Sequence, residues 1–234
     1  MKSIYQLYRK VKKVTATLSQ AILKLIRGGK VMYKHLVHST VKLEDNGIVV
    51  YIDPYMIDKS YNDADYIFIT HGHYDHYSEE DIEKVKKDST VFVITNDLEE
   101  KIKKHGNKYI VVHPNEEYNL KNISFKTVAA YNVNKKFHPK ENNWVGYLIE
   151  LNGTTYYIAG DTDITEDAKK VRADVVFVPV GGTYTMTYSE AAELVNYIMP
   201  KVAIPIHYGT IVGSKEDAYM FRDMLDSKIK CKMI

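Results

Sequence analysis

An α/β sandwich, with helices outside stacked sheets, is the fold this sequence predicts. Three observations predict it. Short apolar runs of strand length recur along the chain, single helical segments separate several of them, and β-rich meanders fill the intervals. The chain has 234 residues, 45% hydrophobic and 26% charged, an ordinary globular composition with length enough for a sizeable core.

Ile4, Leu7, Tyr8, Val11, Val14, Leu18, Ile22 and Leu25 recur at helical spacing, and Gly28-Gly29 follows. Residues 1–30 therefore read as a basic amphipathic helical extension, and residues 31–234 as the main domain. The extension carries Lys2, Arg9, Lys10, Lys12, Lys13, Lys24, Arg27 and Lys30 and no acid, so all 30 acidic side chains lie in the remainder. The body is thus mildly acidic although the whole chain has a net charge of +2. The extension is expected to pack on the domain or on a partner subunit, giving a homo-oligomer. An anionic membrane or a nucleic acid is the alternative partner.

Tyr33 to Leu43 and Gly47 to Ile52 read as paired strands around the turn Glu44-Asp45-Asn46-Gly47. Tyr66 to Thr70 is a short buried strand, and Ser78 to Lys87 a helix capped by Ser78 with Asp81 three residues on. Val91 to Thr95, Tyr109 to His113, residues 117–131 and residues 144–159 add strands, with a helix over Asp97 to His105 and a turn at Asn152-Gly153. Val175 to Val180 and Val202 to Ile206 are apolar strands, with a helix over Ser189 to Ile198 between them and a last helix over Lys215 to Asp226. Cys231 is the only cysteine, which excludes a disulfide framework and a cysteine-rich zinc module. No run approaches the roughly 20 apolar residues that cross a bilayer, and no secretory signal is read, so a cytoplasmic protein is expected.

The chemistry is concentrated in Thr70-His71-Gly72-His73-Tyr74-Asp75-His76, between a strand and a helix. Imidazole nitrogens and carboxylate oxygens bind zinc at about 2.0–2.2 Å. So many donors in one turn suit division between two ions about 3.5–4 Å apart. Two further strands end in ligand types, one in Gly160-Asp161 and one in His207.

His71-x-His73-x-Asp75-His76, then Gly160-Asp161, then His207 resembles the motif series of the metallo-β-lactamase superfamily, over about residues 31–215. Ile52-Asp53-Pro54-Tyr55, the run from Pro179 to Met186 and Ile206-His207-Tyr208-Gly209 resemble the metal-dependent hydrolase branch related to ascorbate-6-phosphate lactonase. The resemblance implies a four-layer αββα sandwich with metals at one edge. It also implies that His71 and His73 hold a first ion, that Asp75, His76 and His207 hold a second, and that Asp161 bridges them. The implied cofactor is one or two divalent ions, zinc first and manganese or iron next. The glutamate of the flavin-linked di-iron relatives is absent, since the second motif position is His73.

The superfamily's further histidine, between the first motif and Gly-Asp, is missing from its expected place, and Asn132 falls there. Three outcomes stay open: Asn132 ligates weakly, His138 swings in as ligand or substrate contact, or the first site is partly empty, with Asp75 as general base. Asp53 is a candidate to fix a histidine tautomer, and Tyr184 to stabilise an oxyanion. Gly181-Gly182 are candidates to offer N–H groups to an anion, and Lys135, Lys136 and Lys140 to attract phosphate. His38 is read as a structural or pocket histidine, and Trp144 as core or lid packing. The expected function is hydrolysis of a small, anionic lactone, ester or phosphoester by metal-activated water. A phosphodiesterase or nuclease with the same centre, and a non-catalytic metal-binding relative, are the alternatives.

Overall fold

The computed structural model describes residues 32–233, so the helix expected over residues 1–30 lies outside them. The described chain forms two sheets. Strands β1 (Met32–Val37), β2 (Thr40–Asp45), β3 (Ile48–Ile52), β4 (Tyr66–Phe68), β5 (Val91–Ile94) and β6 (Lys108–Val111) follow one another in the first sheet. The second contains β7 (Glu117–Leu120), β8 (Ile123–Ala129), β9 (Val145–Leu151), β10 (Thr154–Ile158), β11 (Val175–Pro179), β12 (Val202–Ile206) and β13 (Lys230–Cys231), again in chain order.

Each sheet begins as an antiparallel meander and continues as parallel strands. β3 to β6 are parallel in the first sheet, and β10 to β13 in the second. Parallel neighbours need crossovers; a loop over residues 53–65 makes the step from β3 to β4, and helices supply the others. α1 (Glu79–Val85) and α2 (Glu99–Ile102) serve the first sheet; α3 (Glu166–Lys169), α4 (Tyr188–Ile198) and α5 (Lys215–Asp223) serve the second. Buried on both faces, the central strands are apolar without alternation, as Val175–Pro179 shows by being buried throughout.

The side-chain period of two assigns these runs to layers. Val50, Ile52 and Phe68 meet Phe125, Tyr147, Ile158 and Phe177 in the core between the sheets. Val49, Tyr51 and Ile67 turn the other way and pack on Ile82, Val85 and Ile102 of the first sheet's helices. Tyr157, Val176 and Val178 pack on Ala191, Leu194, Val195 and Phe221. Helices, sheet, sheet and helices thus make the four-layer αββα sandwich. Among the described residues no helix is long and apolar enough to cross a membrane.

The structure corrects the sequence reading in several places. The strand expected over Tyr33 to Leu43 is two strands, broken where His38 takes φ 51° and the chain reverses. The polar triplet His38-Ser39-Thr40, buried throughout, marks the break. The helix expected over Asp97 to His105 is one α-helical turn between two 3-10 turns, and the last helix ends at Asp223. α1 keeps its expected cap: Ser78 accepts from the Asp81 N–H. The Asp81 carboxylate also accepts from the backbone of Met56 and Ile57, at 2.8 and 2.9 Å.

Phe68 joins the two sheets, with its ring edge-on to Phe125 at 4.9 Å and to Tyr147 at 5.0 Å. Phe68→Ala is expected to lower unfolding free energy by about 3–5 kcal/mol, through lost burial plus a cavity. A urea titration checks this, and a loss below about 1 kcal/mol would show that the sheets do not depend on this contact.

Candidate metal centre

The parallel strands deliver the site. In open α/β sheets ligands gather beyond the carboxyl ends of the strands. Here β3 leads to Asp53, β4 to Thr70 and His71, β10 to Asp161, and β12 to His207. Asp53 and His207 have φ of 47° and 58°, left-handed conformations that Asp and His tolerate better than most residues. Gly160, at φ 66°, makes the turn before Asp161.

The first motif folds into a tight loop. The backbone N–H groups of His76 and Tyr77 both donate to the His73 carbonyl, at 3.1 and 2.8 Å. A Cβ at Gly72 would lie 2.5 Å from Asp97 Oδ2, so any larger residue there must displace that carboxylate.

Three overlapping groups of side chains can each hold a cation: His71, His73 and His138; His38, Asp75, His76 and His207; and His71, His76 and Asp161. Asp161 sits among them. Its Oδ1 is 3.2 Å from His76 Nε2, and its Oδ2 is 3.2 Å from His138 Nε2 and 3.1 Å from His207 Nε2. His71 Nε2 lies 3.1 Å from His73 Nδ1.

The atoms so gathered suit a cation. Nε2 of His76, His138 and His207 and Oδ1 of Asp161 are buried and lack a hydrogen-bond partner. Buried polar atoms are nearly always partnered, so unpartnered ones gathered around Asp161 mark a place for positive charge.

The hydrogen bonds behind the His71, His76 and His138 rings fix which of their nitrogens is bare. Asp53 is fully buried and accepts from His76 Nδ1 at 2.7 Å, Thr70 Oγ1 at 2.7 Å and the Thr70 N–H at 2.8 Å. Because the Thr70 hydroxyl donates to Asp53, it accepts from His71 Nδ1, at 3.0 Å. One carboxylate thereby holds the proton on the far nitrogen of two ring donors, directly for His76 and through Thr70 for His71. Composition and spacing alone point to Asp53 but give no sign of Thr70.

The Asn132 position resolves in the same way. Asn132 Oδ1 accepts from the His138 N–H at 2.9 Å and stands 3.2 Å from its Nδ1, while Nδ2 donates to the Tyr184 carbonyl at 3.0 Å. The Asn132 N–H donates to the His138 carbonyl at 2.8 Å. Asn132 therefore closes the loop that carries His138, and its amide oxygen is turned to His138. His138 Nδ1 also has the Tyr184 carbonyl at 3.2 Å, so it carries the proton and leaves Nε2 bare.

Other candidates fall in different places. Asp75 and Tyr184 line the pocket over the site together with His138. Trp144 covers His71 and His73, at 4.8 Å from each ring, and its Nε1 donates to Asp97. The Gly182 N–H donates to the Met186 carbonyl, so it is not free for an anion. Lys135 pairs with Asp163 at 2.7 Å and Lys140 lies over the Tyr131 ring. His38, read from sequence as a structural or pocket residue, contacts Asp75 directly, 3.0 Å from its Oδ2.

Charge at the site is set by these contacts. Burial opposes a proton on His76, but Asp161 and Asp53 outweigh it and raise the ring well above the usual imidazole range. Burial likewise opposes charge on His207, but Asp161 and Asp75 push its pKa up to about 9. Burial and the neighbouring His76 lower His71.

A family model described as a β-lactamase superfamily domain matches residues 33–207. A UPF0173 metal-dependent hydrolase of Lysinibacillus sphaericus is 31% identical over 207 residues, covering 81% of this chain and 90% of that protein. A solved structure from Parabacteroides distasonis, assigned as a metal-dependent hydrolase, matches with TM-score 0.71 at 29% identity, over 87% of this chain and 92% of the other. A metallo hydrolase of Ignicoccus hospitalis shares the fold, with TM-score 0.71 at 22% identity over 87% of this chain and 94% of its own.

Protons and cations compete for the same nitrogens. His207 holds its proton until pH rises through about 9, so Zn²⁺ uptake at neutral pH is expected to release protons, and apparent affinity to climb towards that pH. Calorimetry in buffers of different ionisation enthalpy measures this, and a pH-independent affinity would contradict it. Asp53→Asn is expected to weaken Zn²⁺ binding roughly 10–100-fold, as loss of a ligand-orienting carboxylate does. Metal titration of the folded variant checks it, and wild-type affinity would remove the role given to Asp53.

Proposed function

The chain belongs to the metallo-β-lactamase superfamily, and from that premise we propose that it is a metal-dependent hydrolase of small lactones or esters. The observation that carries this reading is the set of bare ring nitrogens and carboxylate oxygens converging at the floor of a pocket. His71, His73 and His138 would hold one cation, Asp75, His76 and His207 a second, and Asp161 both. Bound divalent ions, zinc first on this imidazole-rich donor set and manganese or iron next, would activate water and polarise the bond to be cut.

The remaining roles belong to side chains. Burial opposes charge on Asp75, but the neighbouring His207 ring and the hydrogen bond from His38 outweigh it and keep its carboxyl below the usual carboxylate range. Asp75 therefore stays ionised at neutral pH and orients the attacking water by accepting its hydrogen bond. Tyr184 lines the same pocket, with its ring against Phe137 at 4.7 Å. Its hydroxyl is assigned the negative charge that develops on the substrate oxygen. His138 is assigned to ligation instead of proton transfer, since its Nδ1 is engaged behind it.

The pocket narrows the substrate. Its volume is about 240 Å³, enough for a small molecule only. Tyr74, Phe137 and Ile211 line it, all exposed, and no lysine or arginine does so among the described residues. Among the described residues lining the pocket, a negative group remote from the reacting bond would find no lysine or arginine to pair with. This supports a substrate with an apolar flank over the anionic one expected from sequence, and a lactone or ester over a phosphodiester.

Tests of turnover use uncharged alkyl and aryl lactones and esters beside phosphorylated analogues and bis-p-nitrophenyl phosphate. Chelator-sensitive hydrolysis of the uncharged set, restored by Zn²⁺, is expected. Tyr184→Phe should lower kcat roughly 10²-fold with little change in KM. Preference for the phosphodiester would replace the reading, and no turnover by fully loaded protein would end it.

A further inference from the structure

We propose that His38 is a positioning residue, not a metal ligand: it links Thr210, in the loop beside the pocket, to Asp75 in the cation site. This rests on the hydrolase reading above. Three observations carry it.

First, both His38 ring nitrogens are engaged within the protein. Nε2 lies 3.0 Å from Asp75 Oδ2 and Nδ1 lies 2.9 Å from Thr210 Oγ1. An ionised carboxylate only accepts, so Nε2 carries the hydrogen. Nδ1 is then bare and accepts from the threonine hydroxyl. His38 thus differs from His76, His138 and His207, whose Nε2 atoms have no hydrogen-bond partner. Proximity alone groups His38 with Asp75, His76 and His207; the hydrogen bonds separate it from them.

Second, the His38 backbone is tied to the same site. Its carbonyl accepts from the His207 N–H at 2.7 Å and from His35 Nε2 at 2.7 Å. The His38 and His207 rings lie 4.1 Å apart. One residue therefore orients a carboxylate through its side chain and fixes the backbone of a ring donor through its carbonyl.

Third, the conformation has a cost that the turn alone does not require. His38 is in the left-handed region at φ 51°, with its side chain fully buried. Asn is favoured at such a position in a tight reversal, but its shorter side chain would not reach Asp75. Thr210 immediately precedes Ile211, which lines the pocket. The relay therefore joins the pocket's edge to the carboxylate assigned to orient water.

The test compares His38→Asn, which suits the turn but cannot reach Asp75, with His38→Gln, whose amide N–H can. Zn²⁺ is titrated into chelator-treated full-length protein by calorimetry, and thermal unfolding is followed without metal. Expected for His38→Asn are one site of wild-type affinity and one weakened roughly 10–100-fold, with His38→Gln recovering most of the loss. Both sites at wild-type affinity in folded His38→Asn would overturn the inference. Equal losses in both variants would make His38 a ligand and overturn it likewise. If His38→Asn fails to fold, Thr210→Val decides, since it frees the ring without touching the cation site. A weaker second site there supports the relay, and an unchanged one overturns it. Failure of the wild-type protein to bind Zn²⁺ at all would instead sink the hydrolase reading.

Discussion

Two buried carboxylates govern this structure. Asp53 is fully buried and Asp161 nearly so, at 4% exposure. Removing an ion from water costs several kcal/mol even after the protein relaxes. Such groups persist only where other charges or donors surround them. Around Asp161 stand the rings of His76, His138 and His207. Around Asp53 stand His76 and Thr70. Their different neighbours divide the work: Asp161 faces bare nitrogens, and Asp53 faces the protonated backs of the rings.

The sandwich makes this arrangement rigid. Apolar packing on both faces fixes the parallel strands, and each ligand follows the carboxyl end of one of them or sits in a loop tied to it. Left-handed residues at His38, Asp53 and His207 turn the chain back over the sheet edge. Strained conformations of this kind persist where surrounding contacts over-determine them. Here those contacts are the Asp75, Thr70 and His38 hydrogen bonds already described.

The sandwich was legible because apolar runs with both faces buried are unmistakable in β4, β11 and β12. The first-motif donors, Asp161 and His207 were legible because each lies just beyond the end of a strand. The break at His38 was less so, because a polar triplet inside an alternating strand looks like a solvent-facing edge. In fact Ser39 and Thr40 are buried, and Thr40 Oγ1 donates to the Asp53 carbonyl at 2.8 Å. The α-helical turn Glu99–Ile102 and the two 3-10 turns flanking it read as one helix, since helical periodicity does not distinguish three-residue from four-residue hydrogen bonding over so short a span.

The sequence by itself determined the layers, the strand ends and the kinds of atom placed there, because those depend on periodicity and on neighbours a few residues away. Only the tertiary structure decided which histidine takes the place facing Asn132, and what His38 does. His138 enters through a loop that Asn132 closes across six residues. His38 meets Asp75 and Thr210 from 37 and 172 residues away. Tautomer and orientation follow from hydrogen bonds between such distant groups, and no local pattern of residues encodes them.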